Sequence, residues 1–405
     1  MRRILADSFF SISIKERSHR ALLALAVMVF FFAVFDTLLV YALPLMLSER
    51  GFSKTELGLI IGSSSMAGAA LDVFLSRFLK NTDFRRMFLF VIAGCAGYFV
   101  LLLGANSIFM YLVAMAVWGL YWNFLSYGLY NFVGGSDKKE HASSWGILDV
   151  FKGLGLIVAP LIASYAIGER VGPPIFAVSW FFLCCIYVFY LLLLKISNAP
   201  HKREDTHKKI HSSRSFWKVG KILAPVLLLN MLLFVFDLSF ATIGPLISQG
   251  LKGEHSIGGL FLTLYYLPTI LVLWIVGPVT AKYGKKRTSF TGFILGTMAV
   301  GSFIFVGKTP LLLPIVFVSS VVSSLAWPSL KGCFADYIGE SPEYEQEIEI
   351  LTSFFTNIGC VLGPVLAGFL ADQVGDLQAL SVIGFSCSLI ALFVYKATPR
   401  KIHVT

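Results

Sequence analysis

Twelve apolar runs dominate the chain: 21–47, 57–78, 87–105, 108–133, 145–167, 174–194, 222–247, 258–279, 288–306, 311–334, 350–371 and 378–395. A helix needs about 20 apolar residues to cross the hydrocarbon of a bilayer. Barrel strands would be about ten residues long with alternating polarity, so the runs are read as helices. Hydrophobic residues make up 57% of the 405 and charged residues only 14%, against about 25% charged in soluble chains. A soluble domain of this composition would expose aggregating apolar patches. That excludes a cytosolic enzyme, a disordered chain and a secreted disulfide scaffold. The net charge of +10 points to the membrane surface and not to nucleic acid, because the cations sit in short loops between apolar runs.

The cysteines (95, 184, 185, 333, 360 and 387) all fall inside these runs, with no C-x-x-C pair and no neighbouring histidine. They read as buried hydrophobes, and neither a metal site nor a cofactor is expected. All seven histidines lie in polar segments, out of place for a proton relay. No signal peptide is expected, since Asp7, Lys15, Glu16 and Arg17 interrupt the first twenty residues.

Basic residues mark the cytoplasmic side. Of the 33 Lys and Arg, 26 fall in the N-terminal tail, in the loops after runs 2, 4, 6 and 8, and in the C-terminal tail. The opposite loops hold five: Arg50, Lys54, Arg170, Lys252 and Lys308. This bias places both termini in the cytoplasm. The longest gap, 195–221, is a basic linker between an N-terminal bundle, 1–194, and a C-terminal bundle, 222–405.

The two halves repeat. Val34-Phe35-Asp36 and Pro44-Leu45 in run 1 recur as Val235-Phe236-Asp237 and Pro245-Leu246 in run 7, at an offset of 201. Leu120 and Trp122 recur as Leu325 and Trp327, at 205. Gly155, Pro160 and Ala163 recur as Gly359, Pro364 and Ala367, at 204. With this plan the chain resembles the major facilitator superfamily. That family's loop motif of glycine, acid and basic residues is echoed after run 8 by Gly277, Ala281, Lys282, Gly284, Lys285 and Lys286. The first-half copy is Asp72, Ser76, Arg77, Leu79 and Lys80, and the acid is missing from both. The glycine–proline pattern of run 5 resembles that of the family's proton antiporters, and its bland alternative is helix packing. The resemblance implies an all-α membrane protein with twelve transmembrane helices in two pseudo-symmetric six-helix bundles.

An aspartate at the helix centre costs about 2.5–3.5 kcal/mol on insertion scales, so Asp36 and Asp237 single themselves out. Asp36-Thr37, ending in Ala42-Leu43-Pro44, resembles the first-helix motif of drug–proton antiporters with one residue fewer; the family's arginine in helix 4 is absent. Asn123, Tyr127 and Tyr130 fall on one face of run 4, flanked by Trp122 and Ser126. Asn230, Tyr265, Tyr266, Trp327, Ser353, Thr356 and Asn357 offer polar and aromatic groups in the second half. Rings beside a carboxylate suit lipophilic cations; the alternative is an interfacial aromatic belt. Arg77, Asp149, Lys152, Lys282, Lys331 and Asp336 are candidates for a cytoplasmic gate, with Asp149 and Lys152 spaced to pair. Lys152 could instead neutralise an anionic substrate. The run Glu340 to Glu349 reads as a solvated helix start.

The reading is a secondary transporter, not an enzyme, in the cytoplasmic membrane. It moves a small lipophilic or cationic molecule by alternating access, with proton-coupled efflux preferred. The alternative is a proton- or ion-coupled importer of a small organic solute or anion. Its partners are the substrate, protons or another coupling ion, and the bilayer; it is expected to act as a monomer. No G-x-x-x-x-G-K-[ST] loop points to an ATP-driven pump. The charge bias makes a testable statement. In a background lacking the native cysteines, Ser212→Cys should resist an impermeant thiol reagent added outside intact cells, and ready labelling would invert the topology.

Overall fold

A computed structural model describes residues 2–78, 82–134, 141–168, 170–197, 213–254 and 256–397. Among them there is no strand. Six long helices fill the first half: α1 Arg2–Glu49, α2 Lys54–Phe78, α3 Phe84–Gly104, α4 Ile108–Gly134, α5 His141–Ala166 and α6 Pro173–Ile196. The second half holds α7 Ser213–Glu254, α8 Phe261–Leu271, α9 Leu273–Tyr283, α10 Lys285–Gly301, α11 Phe303–Val306, α12 Leu312–Ser323, α13 Ala326–Glu340, α14 Glu345–Val374 and α15 Asp376–Ala397. Ten described stretches are long and apolar enough to cross a membrane, and the bent pair α8–α9 makes an eleventh. The 25-residue α2 occupies the place of the second apolar run, so all twelve runs are helical. Of the linker read from sequence, 213–221 belongs to α7, and 198–212 lie outside the described residues.

Broken spans have local causes. Between α12 and α13 the ladder tightens, with Leu325 N–H donating to Val322 C=O at 3.3 Å. Pro328, four residues beyond Ser324, has no N–H to give that residue's carbonyl. Between α8 and α9 the axis turns by 64°. Pro268 and Pro278 flank this break, and Ile275 N–H reaches only three residues back, to Val272. Gly284 then ends α9 and starts α10 at φ +86°, a backbone conformation costly for any residue with a Cβ. The loop-motif glycine at this position thus has a conformational reason.

The chain divides into two compact units. One comprises Met1–Leu39, Ala67–Gly168 and Gly172–Asp205; the other comprises Val40–Met66, Glu169–Val171 and Thr206–Thr405. In the first, α3 packs on α4 and α6, and α5 contacts both α4 and α6. In the second, α14 lies along α7, while α10 packs on α12 and α15.

The repeat read from sequence reappears as a repeated contact. A Cβ on Gly155 would sit 2.8 Å from the Phe30 carbonyl oxygen and 2.6 Å from Ala33 Cβ. A Cβ on Gly359 would sit 2.6 Å from the Met231 carbonyl oxygen and 2.8 Å from Phe234 Cβ. Met231 and Phe234 are Phe30 and Ala33 advanced by the offset of 201. The glycine–proline pattern therefore lets α5 approach α1, and α14 approach α7, in the same manner. Overpacking a tight contact costs about 1–3 kcal/mol. Gly359→Val should lower the thermal midpoint of the purified protein, whereas Gly277→Ala, with no atom within 4 Å of its Cβ position, should not. Equal midpoints for the two variants would contradict the packing role.

Candidate functional site

In the first unit a buried carboxylate is held by one face of α4. Asp36 is 4% exposed, and its Oδ1 accepts three hydrogen bonds. Tyr121 Oη donates at 2.6 Å, Trp118 Nε1 at 2.9 Å and Trp122 Nε1 at 3.2 Å. Residues 118, 121 and 122 are spaced i, i+3 and i+4, so one helical face presents all three donors. Phe32, one turn before Asp36, meets the Tyr121 and Trp122 rings edge-on. A hydrogen bond to a charged group is worth about 1.5–3 kcal/mol, so two of the three offset the cost of placing Asp36 in hydrocarbon. Lys152 Nζ lies 4.6 Å from the Trp122 ring centroid, close enough for a cation–π contact. The site thus combines an acid, three aromatic donors and an ammonium from α1, α4 and α5.

Its equivalent in the second unit is built differently. Half-buried Asp237 accepts from Tyr265 Oη at 2.9 Å. Tyr265 is buried, stacks on Phe240 with centroids 4.1 Å apart, and meets Tyr266 edge-on. It therefore belongs to the interior and not to an interfacial belt. The offset of 205 maps Trp118, Tyr121 and Trp122 onto Ser323, Ala326 and Trp327, so two of the three donors have no counterpart. Trp327 packs edge-on against Phe234 at 4.7 Å.

Two other candidate residues join helices. Asn123 Nδ2 donates to the Gly68 carbonyl at 3.0 Å, tying α4 to α2. Asn230 Nδ2 donates to Thr356 Oγ1 at 2.8 Å, tying α7 to α14. Tyr127 and Asn357 are half-buried, and Tyr130 packs on Trp145 at 4.9 Å. Of the gate candidates, Asp149 is exposed, and Lys152 turns to Trp122. Lys282 Nζ lies 5.2 Å from the Tyr283 ring centroid. Asp336 pairs at 2.6 Å with Lys285 instead of Lys331, which is exposed. The side chains of Asp72, Ser76 and Arg77 lie outside the described residues, as do Leu79 and Lys80 altogether. The acidic run leading into the first turn of α14 is not uniformly solvated, since Glu347 is fully buried.

Sequence reading missed two groups. It passed over Trp118 and Tyr121 because it chose the face of α4 from Asn123, Tyr127 and Tyr130; the W-x-x-Y-W pattern of 118–122 was the available signal. It also missed a clasp in the second unit, where the start of α2 meets the end of α14. Asp372 accepts from Lys54 N–H at 3.0 Å, Thr55 N–H at 2.8 Å and Thr55 Oγ1 at 2.6 Å. Lys54 Nζ pairs with Asp376 at 2.6 Å. Ser53 and Glu56 close a reciprocal capping box on the same turn. An acid from α14 thus satisfies first-turn amides of α2 that the helix itself leaves open. The crossing is tight, because a Cβ on Gly58 or Gly368 would collide with the Pro364 or Lys54 carbonyl. Loss of a cap costs about 0.5–2 kcal/mol. Asp372→Ala should therefore lower the stability of the purified protein by about that amount in a denaturant titration, and an unchanged midpoint would show that the clasp carries no energy.

With this geometry in place, comparison with known proteins is direct. The sequence profile of the Major Facilitator Superfamily matches residues 25–253 and again 226–405. The MFS-type transporter SLC18B1 of Rattus norvegicus is 23% identical over 363 residues, covering 83% of this chain and 77% of the relative. Its Homo sapiens counterpart is 24% identical over 260 residues, covering 60% and 55%. A mutant of the nucleoside transporter NupG superposes with a TM-score of 0.76 at 14% identity, over 93% of this chain and 99% of that one. A bacterial homolog to the human lysosomal transporter Spinster, in an inward-facing and unoccupied conformation, superposes with 0.71 at 12% identity, over 94% and 96%. These structural likenesses concern the fold. The chain belongs to the major facilitator superfamily: it is a multi-pass membrane transporter, not an enzyme.

Proposed function

We propose that this transporter exports small lipophilic cations in exchange for protons, with Asp36 as the coupling carboxylate. The observation that carries the reading is the convergence of three aromatic donors on Asp36 Oδ1. The donors fix one oxygen, and Oδ2 is the oxygen assigned to the proton. Burial favours the neutral acid, whereas an adjacent cation favours the carboxylate. A lipophilic cation arriving among Trp118, Tyr121 and Trp122 therefore displaces the proton, and a returning proton displaces the cation. The rings contribute directly, since Lys152 already sets an ammonium against Trp122. Asp237, with Tyr265, shapes the charge of the second bundle.

In this reading the bundles 1–194 and 222–405 rock about a midplane site, joined by the 195–221 linker, and both termini are cytoplasmic. The Asp372 clasp is an outer gate that must open in each cycle. Asp336 with Lys285, and Lys282 and Lys331 beside them, belong to the cytoplasmic mouth. Lys152 also favours a second reading, uptake of an anionic or zwitterionic solute neutralised by its ammonium.

Purified protein in liposomes separates the two. With an imposed pH gradient, the wild type should accumulate tetraphenylphosphonium. Asp36→Asn keeps the shape but cannot cycle a proton, so it should abolish accumulation while downhill exchange survives. Asp237→Asn should mainly weaken cation binding. Wild-type accumulation by Asp36→Asn would overturn the coupling role. Accumulation of an organic anion, lost in Lys152→Met, would favour the second reading.

A further inference from the structure

The bend between α8 and α9 leaves a consequence on the outer surface of the second unit. α8 packs on α12; past the 64° turn α9 packs on α10 and α13, and a groove of about 290 Å³ is lined by residues of both α9 and α10. Val279 and Tyr283 line one wall, Arg287, Thr291 and Leu295 the other, and Leu325 the floor. The wall residues on α10 are four apart, so they form one stripe along the helix. From Arg287 to Leu295 the stripe runs about 12 Å, the scale of half an acyl chain.

The groove ends at the basic start of α10, where Arg287 lines it. Lys285, Lys286 and Arg287 occupy the first turn of α10, which has no acidic residue and no side-chain cap. That is the reverse of what a helix start favours, since its dipole attracts anions and repels cations. Asp336 offsets Lys285, and Lys282 adds a further cation one turn before. Arg287 and Tyr283 are exposed at the mouth and line the groove. An apolar channel as long as half an acyl chain, ending at a cationic helix start, fits one kind of occupant.

We propose that this groove binds an anionic phospholipid, with one acyl chain along the Thr291–Leu295 stripe. The phosphate meets the Arg287 guanidinium and the first turn of α10. Guanidinium and phosphate match bidentately, and basic pockets between membrane helices are suited to lipid headgroups. The bound lipid meets the Arg287 charge and fills the groove between α9 and α10.

The test uses full-length purified protein, delipidated in detergent and titrated with dioleoyl phosphatidylglycerol or dioleoyl phosphatidylcholine, with adducts counted by native mass spectrometry. The wild type should retain phosphatidylglycerol in clear preference to phosphatidylcholine. Arg287→Gln should weaken phosphatidylglycerol binding about tenfold, the effect of losing one charge-assisted contact. Thr291→Trp, an exposed position that a ring would fill, should weaken it as well while leaving the protein folded by circular dichroism. Millimolar inorganic phosphate should not displace the lipid. Equal retention of the two lipids would overturn the proposal, as would binding indifferent to either variant. Loss in Arg287→Gln with none in Thr291→Trp, or displacement by phosphate, would reduce the site to a surface anion contact and overturn the groove.

Discussion

A carboxyl group in hydrocarbon persists only where protein donors replace the water it has lost, and the arrangement around Asp36 follows from that requirement. Tyr121, Trp118 and Trp122 supply the donors from one face of α4. Their spacing fixes the face that α4 turns toward α1, and Lys152 on α5 lies over the Trp122 ring. Three helices of the first unit are therefore oriented by one acid.

The duplication has preserved scaffold and let chemistry diverge. Gly155 against Phe30 and Ala33, and Gly359 against Met231 and Phe234, are the same contact made twice. Such contacts tolerate no side chain, so drift there is destabilising in either half. The acids had more latitude. Asp237 keeps its place but takes its donor from Tyr265 on α8, because Ser323 and Ala326 stand where the first half has Trp118 and Tyr121. The second unit also carries a clasp between α2 and α14, in which one carboxylate accepts from two main-chain amides and a hydroxyl.

Much of the fold was legible in the sequence because its cause is local. Run length gives the twelve helical runs, and the offset of 201 foretells the equivalent contacts. Asp36 was legible because a charge in lipid is conspicuous on any hydropathy reading. Its partners were not, since helix periodicity says which residues share a face but not which face meets α1. Asn123 illustrates the limit: its polarity marks it as a candidate, but its hydrogen bond to the Gly68 carbonyl depends on how α4 meets α2. Asp372 lay at the end of an apolar run, where an acid looks like ordinary solvation, and its target is 317 residues away in sequence. Likewise the pairing of Asp336 with Lys285, 51 residues apart, depends on how α10 and α13 pack.

The central claim is that Asp36 exchanges its proton for a bound cation. The direct measurement is proton release in weakly buffered detergent solution, followed with a pH-sensitive dye as tetraphenylphosphonium is added to purified protein. The account predicts saturable release from the wild type and none from Asp36→Asn, with the Asp237→Asn variant still releasing protons at higher ligand concentration. Saturable binding of the cation without proton release, or release that persists undiminished in Asp36→Asn, would contradict it.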